Sequence, residues 1–429
     1  MTSVQQPADP GQAPAENDPT AALPTDRQDE RLVSSDGIGA TLSSFWNRVR
    51  GGELGNLPVI LGLIVIASVF YAIEPRFLSS YNLVSILMFA APVGIISLGI
   101  VLVLLLGEID LSVGSLSGFA ASVMAVLLVR EDQPIAVAIL AAVLVGTAVG
   151  LVFGLLRTRV GVPSFVFSLA GLLAFQGALF YTLGKNATTP LPSDSSLVQF
   201  AKFGYVDPTW SYVLVLAITA VFLAGQLLGR RRRTTAGLSV GWYPLVWVKT
   251  AALGGGLLWL SSYLNVDRGW PKVWALFALL VVVMDLILRK TAWGRHIYAV
   301  GGNEEAARRS GIKVDRTYIT VFMTCSTLAA LGGVMAAGIL GSVSRDSGTN
   351  GLELTAIAAA VIGGASLFGG RGSAYAAMLG ILVLQAIESG LNQVNVDSSV
   401  RFMVTGGVLL LAVTIDSISR KARTASGRG

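Results

Sequence analysis

The chain has 429 residues, of which 53% are hydrophobic and only 13% charged, and its mean hydropathy is +0.68. A soluble protein of this length would carry about twice that charged fraction, so the composition excludes a soluble globular domain. Continuous apolar runs of about 20 residues predict an all-α integral membrane protein and argue against a barrel of short alternating strands.

Cysteine and histidine each occur once, as Cys325 and His296, which excludes a disulfide framework and argues against a Cys/His metal site. We therefore predict no bound metal. The net charge of +6 could suit a nucleic acid partner, but in a membrane protein it more often reflects basic cytoplasmic loops. We expect a lipid membrane as the environment and no nucleic acid partner.

Residues 1–50 are rich in Pro, Ala, Gln, Asp and Ser without an apolar period, which predicts a disordered cytoplasmic tail. Residues 419–429 form a second, basic tail. With the N-terminus inside, most of the 31 Lys and Arg residues fall on inner segments, so both termini are predicted to be cytoplasmic in a multi-pass protein of the cell membrane. Apolar runs predict about 12 spans, which lie near 57–73, 83–106, 113–129, 135–156, 164–183, 210–228, 244–264, 272–288, 317–340, 353–368, 374–391 and 400–416.

Small residues recur within these spans at the spacing of helix contacts. Gly146, Gly150 and Gly154 form one GxxxGxxxG face, and Gly332 and Gly333 lie in a later span. Close approach of membrane helices requires small side chains, so packing is the preferred interpretation of these glycines over contact with a substrate.

An acidic break, residues 107–115 (GEIDLSVGS), separates the second predicted span from the third. Carboxylates are costly at membrane depth, so Glu108 and Asp110, together with Ser112 and Ser115, are candidates for a substrate pathway. Asp110 or Ser112 could cap the helix that follows. The alternative is a short cytoplasmic turn in which both carboxylates are simply solvated.

A second polar break, residues 344–354, contains Asn350 and Glu353, which could face an entrance. Gln176, alone in its span, is a third candidate, although a single glutamine more often joins helices. The first break lies on the inner side and the second on the outer side of corresponding spans. This pattern predicts two inverted five-helix halves with about 10 core helices, at 57–183 and 272–418, with an inserted helical hairpin at 205–264.

The longest polar stretch between spans contains a predicted short helix at 303–311. Asn303 is a good N-cap, two glutamates follow where the helix dipole favours negative charge, and Arg308 lies in the last turn. Gly311 supplies a left-handed stop. The pattern alone does not separate an ordinary amphipathic loop helix from a helix that docks on another protein.

The stretches 107–115 and 297–312 (IYAVGGNEEAARRSGI) resemble the membrane permeases of ribose/xylose/galactose-type ABC sugar importers. Residues 351–370 fit the same family, so the resemblance covers most of 57–418 but not residues 1–50 or the hairpin sequence. The hairpin and the length are more similar to the xylose-type branch. Thr355 departs from the pattern, since an Asp is expected there in many relatives.

The resemblance implies a homodimeric or pseudodimeric pore, a separate cytoplasmic ABC ATPase subunit and an extracytoplasmic sugar-binding protein. Because the chain contains no Gly-x-x-x-x-Gly-Lys-Ser/Thr motif, we expect no catalytic residues and no bound cofactor, with ATP used by the partner. The resemblance also makes the short helix a coupling helix for the ATPase, with these residues involved: Gly302, Asn303, Glu305, Ala306, Ala307, Arg308, Ser310, Gly311 and Ile312.

The predicted function is therefore the permease subunit of an ABC importer for a monosaccharide, with xylose or another pentose as its sugar. The alternative is a proton-coupled secondary sugar transporter that uses Glu108 or Asp110 as its proton carrier. The coupling-like helix argues against this alternative, because a self-sufficient transporter does not need one. The sequence does not identify the sugar.

Overall fold

The computed structural model describes residues 57–185, 187–238 and 243–397, and nine of the residues between 399 and 414. The predicted tails at 1–50 and 419–429 and most of the predicted last span at 400–416 lie outside the described residues. Within the described part, the regular structure is helical, mostly α with a short 3₁₀ helix at Pro75–Leu78, except for one two-stranded ribbon.

The first five long helices follow the predicted spans closely. They are α1 (Leu57–Ile73), α2 (Ser80–Leu105), α3 (Val113–Val129), α4 (Ile135–Leu155) and α5 (Ser164–Leu183). The Ser79 side chain caps α2 by accepting the N–H of Asn82. A single π-helical turn, Leu156–Val160, extends α4 and stops at Gly161, which has a left-handed φ of 78°.

The remaining elements in chain order are β1 (Thr188–Pro190), α6 (Ser196–Ala201), α7 (Pro208–Thr235), α8 (Pro244–Leu264), α9 (Lys272–Lys290), α10 (Ala292–Gly302), α11 (Glu304–Arg309), α12 (Val314–Leu340), β2 (Ser342–Ser344), α13 (Leu352–Ile362) and α14 (Tyr375–Gln393). The strands β1 and β2 pair in antiparallel register, with Thr189 opposite Val343. Two long helices, α7 and α8, occupy the region of the predicted hairpin.

Among the described residues, seven helices are long and apolar enough to cross a membrane, and three shorter helices are also apolar. This agrees with the predicted all-α membrane protein. The predicted span 353–368 is too long, however, because α13 ends at Ile362. Gly363 and Gly364 follow, and Gly364 has a φ of 103°, a conformation that a helix cannot contain.

Contacts divide the chain into two compact units, and the described part of the smaller one is the middle of the hairpin, Leu214–Leu257. Within this unit α7 and α8 approach closely, since a Cβ added to Gly254 would lie 2.8 Å from the Thr219 side chain. The guanidinium of Arg230 lies over the ring of Tyr243 at 4.8 Å.

The larger unit is built around α12, which packs against α2, α3 and α4. The glycine face of α4 packs directly against α12, as predicted. A Cβ added to Gly146 would lie 2.5 Å from the carbonyl oxygen of Ser326. A Cβ added to Gly154 would lie 2.5 Å from the Cα of Ile319. At Gly333 an added Cβ would overlap the carbonyl oxygen of Ser117 on α3.

The loops of the larger unit gather at two ends. At the α11 end lie the first acidic break, the π-helical turn after α4 and the α10–α11 segment, joined by Arg157, Glu108 and Glu304. At the opposite end, Arg130 bonds the carbonyl oxygens at the end of α5, and Arg345 bonds the carbonyl oxygen of Gly184. This grouping agrees with the alternation of loops predicted from the spans.

Candidate functional site

The short helix α11 is capped as the sequence predicted. The Asn303 side chain accepts the N–H of Ala306 at 2.9 Å, and Gly311 has a left-handed φ of 83°. Two pairs spaced by four residues lie along the helix: Arg308 with Glu304 at 2.9 Å, and Arg309 with Glu305 at 3.1 Å. The helix is thus stabilised by local interactions before any partner binds.

One face of α11 is exposed and the other packs onto the chain itself. Most of the predicted coupling residues are exposed, namely Gly302, Asn303, Glu305, Ala306, Arg308, Ser310 and Gly311. Ala307 is buried against the core, and Ile312 is half-buried. Ala307 therefore does not contribute to the exposed face, and a bulky residue there would disturb the protein's own packing.

The buried side of α11 is held by an ion-pair bridge through Arg157. The Arg157 Nε donates to the Glu108 Oε1 at 2.6 Å, and its Nη2 lies 3.5 Å from the Glu304 Oε2. The guanidinium lies over the ring of Tyr318 at 4.7 Å, and the Tyr318 hydroxyl donates to the Glu304 Oε2 at 3.2 Å. One cation thus joins the acidic break to α11.

This bridge was missed from the sequence. No role was predicted for Arg157, and Tyr318 was placed only within the predicted span 317–340. The available signal was a basic turn and an unpaired acidic break, both predicted on the same side of the membrane. The interpretation of Glu108 and Asp110 as simply solvated is wrong, since the Glu108 side chain is 12% exposed and Asp110 is fully buried.

A second set of contacts holds the joint between α10 and α11. A Cβ on Gly301 would overlap the carbonyl oxygen of Leu105, which also accepts the N–H of Gly370 at 2.8 Å. The Tyr298 hydroxyl donates to the Gly372 carbonyl oxygen at 2.8 Å, and burial raises the pKa of that hydroxyl. The α10–α11 joint therefore has main-chain contact with the start of the break.

From Glu108 the chain runs into the protein beside α5. The N–H of Ile109 donates to the hydroxyl of Ser164 at the start of α5, at 3.3 Å. Ser112 lies against Gly171, where an added Cβ would be 3.2 Å from the Ser112 Cβ. Ser164 and Gly171 are about 10 Å apart along α5, which is a third of the thickness of a bilayer core of about 30 Å. The break segment, residues 108–112, thus runs inward along α5 and is covered by protein.

Asp110 organises this break segment. Its Oδ1 accepts the N–H of Ser112 at 2.8 Å and the Ser112 hydroxyl at 2.7 Å. The Ser115 hydroxyl in turn donates to the Ser112 carbonyl oxygen at 3.0 Å. Asp110 thus supports the start of α3, whereas the Ser112 hydroxyl does not cap it. The Asp110 Oδ2 is buried without a partner among the described residues.

The two polar breaks meet at the start of α3. A Cβ on Gly114 would lie 2.6 Å from the Glu353 Oε2 and 2.8 Å from the Gly348 carbonyl oxygen. At Gly118 it would overlap the carbonyl oxygen of Ser347. The first turn of α3 therefore rests directly on the loop before α13.

Two predicted pathway residues lie elsewhere. Asn350 is exposed, with a φ of 60° that asparagine tolerates better than most residues. Gln176 is half-buried on α5, beside Phe175, whose ring stacks on that of Phe119 with centroids 6.2 Å apart. In the described part of the chain, no three His, Cys, Asp or Glu residues form a group that could hold a metal ion.

A family model described as "Branched-chain amino acid transport system / permease component" matches residues 82–413. The xylose transport system permease protein XylH of Haemophilus influenzae is 35% identical over 371 residues, which cover 85% of this chain and 98% of that protein. The ribose import permease protein RbsC of Escherichia coli is 31% identical, covering 83% and 92%.

The L-arabinose ABC transporter permease protein AraH of Azospirillum brasilense is 29% identical, covering 88% of this chain and 93% of that protein. No solved structure matches. The family model covers most of the chain and the relatives are covered over nearly their whole length. The chain therefore belongs to the family of transport-system permease components.

Proposed function

We propose that the protein is the membrane-spanning permease subunit of an ABC importer that moves a pentose, such as xylose, into the cytoplasm. Three relatives support the substrate class, since their names specify xylose, ribose and L-arabinose, which are all five-carbon sugars. The specific sugar is set together with an extracytoplasmic sugar-binding protein that delivers it.

In this proposal α11 faces the cytoplasm and docks on an ABC ATPase subunit. Both termini also lie on the cytoplasmic side. The observation that carries the proposal is the structure of α11: a capped helix with one exposed face, tied on its other face to the acidic break by Arg157. Such a helix is suited to transmitting force. ATP is bound and hydrolysed by the partner, and this chain acts mechanically.

The proposed transport step is alternating access in a homodimer, with two inverted halves in each chain. The helix lengths support the repeat, since α2 and α12 have 26 and 27 residues and each precedes a polar break and a shorter helix. The packing supports it too: α2 contacts α12, while α4 packs on α12 and α14 packs on α2. Such cross-packing is expected of a two-fold relation.

Of the predicted pathway residues, Asn350, Glu353 and Gln176 are our candidates for polar contacts along the sugar's route. Glu108, Asp110, Ser112 and Ser115 are engaged within the protein, and we assign them to holding the break segment.

Uptake of radiolabelled xylose into proteoliposomes tests the proposal. The vesicles contain this chain with its ATPase and binding protein. One set of vesicles is supplied with ATP and another with a proton gradient. We expect uptake with ATP alone and none with the gradient alone. Gradient-driven uptake without the ATPase would instead establish the secondary transporter that the sequence left as the alternative.

Docking by α11 is tested at its exposed alanine. We expect Ala306→Trp to reduce co-purification of the ATPase at least about tenfold, equivalent to about 1.4 kcal/mol of binding free energy. Ala187→Trp, at an exposed alanine of the opposite end, is the matched control and should leave co-purification unchanged. Full retention of the ATPase by the Ala306 variant would exclude α11 as the docking element.

A further inference from the structure

We infer that Arg157 is the positioning residue that transmits movement of α11 to the break segment, residues 108–112. This inference rests on the proposed function, in which an ATPase moves α11. It assigns to one side chain a role that α11 alone cannot perform, because α11 has no direct ion pair with the break segment among the described residues. In the described part of the chain, the guanidinium between Glu304 on α11 and Glu108 on the break is what joins them.

The geometry requires an arginine. The guanidinium is planar and presents separate N–H groups, so Nε serves Glu108 while Nη2 faces Glu304. Its face lies over the Tyr318 ring on α12 at 4.7 Å. A lysine would offer a single ammonium on a flexible stem and could not hold both carboxylates in this arrangement.

The base of the bridge is firmly placed. Arg157 belongs to the π-helical turn that directly follows α4, and Gly154, one turn earlier, packs against the main chain of Ile319. The Arg157 backbone is therefore held by the α4–α12 contact. Movement of Glu304 shifts the guanidinium relative to a fixed base, and Glu108 moves with it.

Beyond Glu108, the break segment carries the displacement inward. Asp110 ties the segment to the first residues of α3 through Ser112. The first turns of α3 rest on the second break, with Gly114 against the Glu353 side chain and the Gly348 main chain, and Gly118 against the Ser347 main chain. A shift that begins at α11 thus reaches the loop before α13.

A purely structural role would give a different signature. The Arg157 and Glu304 side chains are 27% and 37% exposed, and ion pairs that are partly open to solvent contribute little to folding stability. The Glu108 side chain is only 12% exposed, so the thermal midpoint is measured beside the coupling. A role in transmission therefore predicts that removal of the guanidinium changes coupling while the protein remains folded and bound to its ATPase.

The experiment compares Arg157→Gln and Arg157→Lys with Arg159→Gln, a substitution of the exposed arginine in the same turn. Each full-length variant is reconstituted with the ATPase and the sugar-binding protein. The measurements are ATPase co-purification, thermal midpoint, ATP hydrolysis, and xylose transported per ATP hydrolysed.

We expect Arg157→Gln to bind the ATPase and hydrolyse ATP as the wild type does, with xylose transported per ATP reduced about fivefold or more. Arg157→Lys should give an intermediate ratio, and Arg159→Gln the wild-type ratio. Adding Glu108→Gln to Arg157→Gln should cause no further loss, because both remove the same link.

A wild-type ratio in Arg157→Gln would overturn the inference. Loss of ATPase binding in that variant would also overturn it, since Arg157 would then serve docking. If Arg157→Gln fails to fold, Arg157→Lys decides, because it keeps the cation but should still lower the ratio. If the wild-type chain itself bound no ATPase, the proposed function would fail, and that result is distinct from all of these.

Discussion

Gly150 gives the most direct test of how α4 packs against α12. A Cβ added there would overlap the carbonyl oxygen of Phe322 and lie 2.5 Å from the Cα of Met323. Main-chain atoms cannot rotate away, so Gly150→Ala must separate the two helices. A gap of about 0.5–1 Å removes about a quarter to a half of a contact's dispersion energy. Overpacking of this kind costs about 1–3 kcal/mol.

The matched control is Gly177→Ala on α5, where an added Cβ would meet nothing within 4 Å. In both variants the change from glycine to alanine favours the helix by about 1 kcal/mol, so this contribution cancels when the two stabilities are compared. We therefore expect Gly150→Ala to be less stable than Gly177→Ala by about 1–3 kcal/mol. Thermal unfolding in detergent, followed by tryptophan fluorescence, measures the difference. A midpoint for Gly150→Ala at or above that of the control would refute the close main-chain contact.

Two further predictions concern the break and its joint. Asp110→Leu removes the acceptor of two Ser112 donors and should cost about 1–3 kcal/mol, whereas Asp110→Asn keeps Oδ1 and should cost less. Thermal midpoints compare them, and equal losses would show that the charge matters more than the acceptor. Gly301→Ala would force a Cβ onto the Leu105 carbonyl oxygen, so xylose transported per ATP should fall about fivefold or more. Gly62→Ala on α1, where a Cβ meets nothing within 4 Å, is the control, and equal ratios in the two variants would contradict the joint's role.

The features predicted well from the sequence depend on residues close together in the chain. The cap of α11 at Asn303 and its stop at Gly311 are set within one turn of the helix, so the sequence pattern is sufficient. The glycine face of α4 follows in the same way from a four-residue spacing. In both cases local geometry determines the structure, and distant contacts only reinforce it.

The features that were missed depend on distant contacts. Arg157 and Glu108 are 49 residues apart, and nothing in either local sequence specifies the pairing. The helix α10 contains several glycines, which disfavour a helix in isolation. It is stabilised by tertiary contacts instead, including the hydrogen bond from the Trp293 indole to the Thr320 hydroxyl at 2.8 Å. Its buried side, which includes Ile297 and Val300, packs into the core.

The β1–β2 ribbon has a consequence for how the protein tolerates sequence change. It joins the end of α5 to the end of α12 through main-chain hydrogen bonds, and the N–H of Leu191 extends it by donating to the Gly341 carbonyl oxygen at 2.9 Å. Main-chain bonds persist when most side chains are replaced, whereas the bridge at the α11 end depends on three particular side chains. We therefore expect substitutions to be tolerated at exposed positions of the ribbon such as Thr188, and to be far more harmful at Arg157.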